Sequence, residues 1–224
     1  KPLEQYIAYH EEKAKGGLAL TSFGGSSSVS IDSPAAQWRQ ISLTDDSIIP
    51  VFQAFAERIH RHDTALMCQV SHLGHRSRYD AENWLAPIAP SPVREPAHRS
   101  FPRQMDRDDI ARVQADFAEA VRRCRDGGLD GVELIASGAH LIGQFFSPHT
   151  NRRTDGYGGS VRNRVRFGIE VLEAVRRAVG DYFAVGLRLS SDEMSPEALN
   201  HQECLEIAAA FAASGVVDFL TVST

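Results

Sequence analysis

Five short apolar runs, at residues 18–23, 65–70, 131–136, 183–189 and 218–223, recur along this chain, and none alternates cleanly between apolar and polar positions. A run that is apolar on both faces fits a strand covered on both sides, which is the habit of parallel sheets. Helical periodicity fills the intervals, over 3–15, 45–61, 106–125, 160–179 and 196–213. Gly16-Gly17, Gly127-Gly128, Gly180 and Gly215 supply the stops, and Thr44 is the expected N-cap of the second helix. The order is one helix, four β–α units and a final strand. Such alternation predicts a parallel sheet with helices outside it.

Two architectures share that pattern, the doubly wound open sheet and the (β/α)8 barrel. No strand is followed by Gly-x-Gly-x-x-Gly, since Gly24-Gly25 and Gly158-Gly159 are bare pairs, and no glycine loop leads to a P-loop lysine. The long insertions 24–43 and 71–105 both follow strands, and gathering long loops at one end is the habit of a barrel. A whole barrel takes about 250 residues. The chain opens at Lys1 inside a helical pattern and closes at Thr224 on a strand. It is therefore expected to be an α/β chain folding as an incomplete (β/α)8 TIM barrel, strands two to six, with residues 1–224 as one domain truncated at both ends.

The 224 residues are 42% hydrophobic, enough for a substantial core, and the net charge of −5 comes without any Lys/Arg run. That balance gives no electrostatic support to a nucleic-acid or membrane-surface role. No apolar run approaches the ~20 residues of a membrane span. Cys68, Cys124 and Cys204 are scattered and odd in number, which argues against a disulfide framework and for a reducing, cytoplasmic setting. His72 and His75 form a His-x-x-His pair, but no third ligand is evident and no metal is expected.

The long connection 144–160 carries the most information. It opens on Gln144-Phe145-Phe146-Ser147-Pro148, continues through Asn151-Arg152-Arg153-Thr154-Asp155 and ends on Tyr157-Gly158-Gly159-Ser160, with Asn163-Arg164 just beyond. Loops of this length in a compact domain are usually functional or disordered. These segments resemble the signature of the old yellow enzyme family, the FMN-dependent NADH:flavin oxidoreductases. The resemblance extends to Tyr9-His10-Glu11-Glu12-Lys13-Ala14-Lys15-Gly16-Gly17, to Gln69-Val70-Ser71-His72-Leu73-Gly74, to Pro90-Ser91-Pro92 and to Val185-Gly186-Leu187-Arg188-Leu189-Ser190.

The resemblance implies a flavin site. Gln69 offers an amide donor and acceptor to the flavin pyrimidine edge; the alternative is a strand-end glutamine bonded to backbone. Arg188, mid-strand among apolar residues, would stabilise the reduced flavin near N1 and the C2 carbonyl, or else pair with Glu133. Gly24 and Gly25 would let backbone approach a planar ring, or merely make a turn. Arg152, Arg153, Asp155 and Asn163 are expected to brace their own loop. The family's enone anchor, a His followed three residues on by His or Asn, falls here on Ile135 and Gly138, neither of which can donate a side-chain hydrogen bond. His140 stands where the family often has a proton-delivering Tyr, and a loop histidine bonded to backbone is its other reading. His72 resembles an active-site loop histidine. His140 and His72 are the expected catalytic residues.

The glycine loop resembles relatives that demethylate small N-methyl amines such as dimethylglycine or N-methylproline. The expected activity is thus FMN-dependent oxidative demethylation of a small N-methylated amine or amino acid. The alternatives are NAD(P)H-dependent ene reduction and an inactive, flavin-free barrel fragment. The resemblance also allows NAD(P)H as electron donor, a 4Fe–4S cluster in sequence beyond Thr224, a small-molecule substrate and a homo-oligomeric assembly.

Overall fold

The computed structural model describes residues 4–33, 40–78, 84–97 and 99–223. Its elements run α1 (Glu4–Lys15), β1 (Leu20–Ser28), α2 (Ile49–His60), β2 (Ala65–Ser71), the two-residue strands β3 (Ile88–Ala89) and β4 (Arg103–Gln104), α3 (Arg107–Asp126), β5 (Gly131–Ile135), the short helices α4 (Leu141–Phe146) and α5 (Val161–Arg164), α6 (Arg166–Val179), β6 (Ala184–Ser190), α7 (His201–Ser214) and β7 (Phe219–Ser223).

The five long strands form one parallel sheet in the order β1-β2-β5-β6-β7. Each new strand joins the same growing edge. A doubly wound sheet must reverse direction at a switch point, and no reversal occurs. The chain therefore follows the winding of a (β/α)8 barrel, and the curled sheet is a half-barrel. The helices bury their apolar faces on its outside. Phe52 and Phe55 of α2, Phe117 of α3, Phe167 of α6 and Phe211 of α7 are fully buried there, over Val132, Leu134, Val185 and Leu187 of the sheet. Burial of each such ring contributes about 1.5–3 kcal/mol. No helix among the described residues is long and apolar enough to cross a membrane.

Several boundaries differ from the sequence expectation, each for a local reason. Asp45, not Thr44, caps the start of the second helical segment: its carboxylate accepts from Ser47 N, and a 3-10 turn (Asp46–Ile48) precedes α2. The helix expected over 160–179 is two, α5 and α6, which meet at Val165, the residue that ends one and begins the other. The last helix starts later than 196, at His201, where Asn200 makes a capping box with Glu203. β1 runs past 23 to Ser28 through a register shift between Phe23 and Ser27. Gln144-Phe145-Phe146 is helical rather than loop, since α4 buries all six of its residues. Parts of both long insertions, 34–39 and 79–83, lie outside the described residues, as does the start of the first expected helix.

Candidate functional site at the strand C-termini

The C-terminal ends of the strands carry the polar residues that sequence reasoning singled out. Gln69 and Glu133 are register partners across β2 and β5, and Arg188 and Thr221 are partners across β6 and β7. Their side chains meet at one place. Glu133 is buried and accepts from Gln69 Nε2 with Oε2 and from Thr221 Oγ1 with Oε1. Arg188 Nη1 lies 3.9 Å from Glu133 Oε2. The Arg188–Glu133 pairing raised as an alternative is thus present, as a loose approach rather than a hydrogen bond. Arg188 keeps 35% of its side chain exposed, so its guanidinium can still meet a further anionic group.

The two glycines of β1 separate in role. Gly24 has φ +107°, and a Cβ there would lie 2.5 Å from Ser27 Oγ and 2.9 Å from the Gln69 carbonyl, so packing against β2 alone requires glycine. Gly25 has φ +49°, with nothing within 4 Å of a Cβ position. Its backbone faces open space.

Behind β2 the chain is clasped to the segment after β5. Gln144 Nε2 donates to the Leu73 carbonyl at 2.9 Å and to the Ala139 carbonyl at 2.6 Å, while its Oε1 accepts from His75 N at 3.1 Å. Leu141 N donates to the His72 carbonyl at 2.8 Å. His72 itself is buried. Its Nδ1 accepts from Gly74 N at 2.9 Å, and its Nε2 donates to Asp32 Oδ1 at 2.7 Å. Both ring nitrogens are therefore engaged in holding the loops after β1 and β2. Asp32 also accepts from Ser30 Oγ and Arg112 Nη2. Burial pushes the Asp32 carboxyl up, but the hydrogen bonds from His72 and Ser30, with the charge of Arg112, outweigh it and hold the group well below the usual carboxylate range.

His140 is the N-cap position of α4 and is buried, with Nδ1 2.8 Å from the Ser137 carbonyl. Burial pushes its imidazole down to about 4, against an opposing hydrogen bond to Ser137 and with help from the charge of Arg76. It is neutral at neutral pH, with Nδ1 as donor and the lone pair on Nε2. Ile135 is buried at the end of β5, and Gly138 sits at φ +59° with its carbonyl accepting from Arg76 Nη1 at 2.7 Å. Neither position has a side chain that can donate a hydrogen bond to a carbonyl oxygen.

A cavity of about 490 Å³ opens beside this turn. Gly138, Ser190 and Ser223 line it, together with His75, His149, Arg94, Glu95, Asp192 and Glu193. His72 and His140 do not line it. His75, half of the rejected metal pair, does, and burial pushes its ring down to about 4. His149 and the acidic pair after β6 carried no signal, because only the fold brings these loops together.

The signature loop is a brace, as expected. Arg153 donates to the Pro90 and Met105 carbonyls at 3.1 and 2.7 Å and pairs with Asp155 at 2.6 Å. Asn151 Nδ2 donates to the Phe145 and Tyr157 carbonyls, and Asn163 Nδ2 to the Gly158 carbonyl. Arg152 N donates to Ser91 Oγ at 2.9 Å.

Fold and site together define a barrel protein whose mouth presents an amide, a guanidinium and an open glycine backbone. The chain matches the NADH:flavin oxidoreductase / NADH oxidase family over residues 2–223 and belongs to it. It is 51% identical over 219 residues to the N,N-dimethylglycine/sarcosine dehydrogenase of Chromohalobacter salexigens, covering 98% of this chain and 32% of that protein. It is 53% identical over 222 residues to the multifunctional alkene reductase/demethylase OYE of Caballeronia cordobensis, covering 99% and 32%. The probable N-methylproline demethylase of Rhizobium meliloti is 44% identical over 221 residues, again covering 99% and 32%. The chain thus spans about a third of the length of these curated relatives. Among solved structures, histamine dehydrogenase from Rhizobium sp. 4-9 superposes with a TM-score of 0.89 at 28% identity, over 97% of this chain and 32% of that one. Morphinone reductase gives 0.84 at 25% identity, over 96% and 63%.

Proposed function

We propose that this protein is an FMN-dependent oxidoreductase that demethylates a small N-methylated amine or amino acid. The observation that carries the reading is the replacement of the carbonyl anchor by Ile135 and Gly138, a buried alkyl group and a left-handed glycine. The residues at the mouth suit the cofactor. Gln69 would address the pyrimidine edge, Arg188 would balance negative charge on the reduced ring, and the open backbone at Gly25 leaves room for a planar system.

FMN, when bound, supplies the acceptor for a hydride, with two electrons, from the N-methyl carbon. The iminium that remains takes up water and splits into the secondary amine, formaldehyde and a proton. The chain's own part is to bind and orient the amine. Glu95, Asp192 and Glu193 outnumber Arg94 on the cavity wall, and the neutral His75 adds no positive charge, a balance that favours the positive charge that develops on nitrogen as the hydride leaves the neutral amine. The names of two similar proteins, a dimethylglycine/sarcosine dehydrogenase and a probable N-methylproline demethylase, support the same chemistry. The test is formaldehyde release from a panel of N-methyl amines by the FMN-loaded protein, with the des-methyl amines as blanks. Absence of formaldehyde across the panel overturns the proposal.

A second reading is NAD(P)H-dependent alkene reduction, favoured by the relative whose name joins both activities. Cyclohexenone-dependent NAD(P)H consumption without formaldehyde release would select it.

A further inference from the structure

We infer that Glu133 is a positioning residue that fixes which end of the Gln69 amide meets the cofactor, an inference that rests on FMN occupying the barrel mouth. Gln69 and Glu133 stand opposite each other in the β2–β5 register. Gln69 Nε2 donates to Glu133 Oε2. Thr221 Oγ1 donates to the other oxygen, Oε1, which pins the carboxylate from the far side of the half-barrel. Arg188 Nη1 approaches Oε2 at 3.9 Å. Glu133 is only 6% exposed, so its rotamer is confined.

The consequence follows from donor and acceptor chemistry. A carboxylate accepts and does not donate, so it selects the NH2 end of a neighbouring primary amide. The amide is planar, and Oε1 is left on the side away from Glu133. Gln69 is half-buried, and its Oε1 makes no hydrogen bond to any described residue. Gln69 therefore offers an acceptor to an incoming ligand. On the flavin pyrimidine edge the only donor is N3–H, between two carbonyl oxygens. The geometry points to Gln69 Oε1 reading N3–H, with Glu133 enforcing that orientation and Thr221 enforcing Glu133.

The experiment compares FMN with 3-methyl-FMN, which lacks the N3 proton, for binding to the deflavinated protein. Wild type should prefer FMN by at least about tenfold, the scale of one unmet buried hydrogen bond. In Glu133→Gln the new amide can donate to Oε1, the Gln69 amide is free to turn, and the preference should fall to within about threefold while FMN still binds. Glu133→Met, of similar reach but without acceptor oxygens, should give the same collapse and serves if Glu133→Gln does not fold. An undiminished preference in a folded Glu133 variant overturns the inference. Gln69→Ala separates the two levels. If the preference vanishes there too, the amide reads N3. If Gln69→Ala leaves both FMN affinity and the preference unchanged, the flavin does not sit on Gln69, and it is the underlying assignment that fails.

Discussion

Gln144 occupies the space that a side chain at Gly74 would need: a Cβ at that position would lie 2.4 Å from Gln144 Oε1 and 2.6 Å from Nε2. Gly74 also has φ +58°, a conformation other L-residues adopt at a cost. The pair explains how the loop after β2 stays closed on the segment after β5. Gly74→Ala should displace the Gln144 amide, break its bonds to Leu73, Ala139 and His75, and cost about 2–4 kcal/mol. Urea denaturation measures this, and a change below about 0.5 kcal/mol, the scale of a neutral surface substitution, would contradict it.

Arg153 holds the signature loop against the Pro90 and Met105 carbonyls with its side chain only 4% exposed. Arg153→Ala leaves those carbonyls without a charged donor and should cost about 2–4 kcal/mol. Arg153→Lys, a point donor, should recover only part, because the guanidinium serves two carbonyls and Asp155 at once. Thermal unfolding of the two variants should rank wild type above Lys above Ala.

The buried rings of His140 and His75 are both pushed down from 6.5 to about 4. The fold favours the neutral ring, so each contribution is complete above the ordinary value of 6.5 and is lost as pH falls towards 4. For a fully buried ring the loss amounts to about 3 kcal/mol. Stability should decline steadily from pH 6.5 to 4, less so in His140→Gln. Ring-proton titration by NMR tests the cause directly: a His140 midpoint at 6 or above would refute it.

In the proposed enzyme the charge of the half-exposed Arg188 would stabilise the reduced cofactor. Arg188→Met keeps the length and removes the charge. The flavin midpoint potential should move negative by at least about 30 mV, equivalent to a tenfold change in a two-electron equilibrium. Potentiometric titration reads this, and an unchanged potential would place the guanidinium elsewhere.

The sequence carried the architecture because five doubly apolar runs separated by helical stretches admit few parallel folds, and the missing phosphate fingerprint removed the open sheet. Helix starts were less legible. Asp45 and Asn200 won over Thr44 and the region near 196 because capping depends on which side chain reaches the free N–H groups, and several polar residues compete at each point. Gln69 and Arg188 stand out in sequence as polar residues in apolar strands, whereas the bonds from Gln69 and Thr221 to Glu133 depend on register between strands far apart in the chain. His72 reads as an active-site histidine in sequence, but only the packing shows that Gly74 and Asp32 engage both of its nitrogens. The cavity wall, built from the segments after β2, β5 and β6 with Ser223 of β7, is brought together only by the fold.

The central claim is tested most directly by anaerobic mixing of the FMN-loaded protein with an N-methyl amine, following flavin absorbance in a stopped-flow instrument. Loss of the oxidised-flavin band on mixing with dimethylglycine or N-methylproline, slowed when the methyl group is deuterated, is the predicted result. A flavin that stays oxidised with every N-methyl amine, yet bleaches with NAD(P)H and is reoxidised by cyclohexenone, would contradict it.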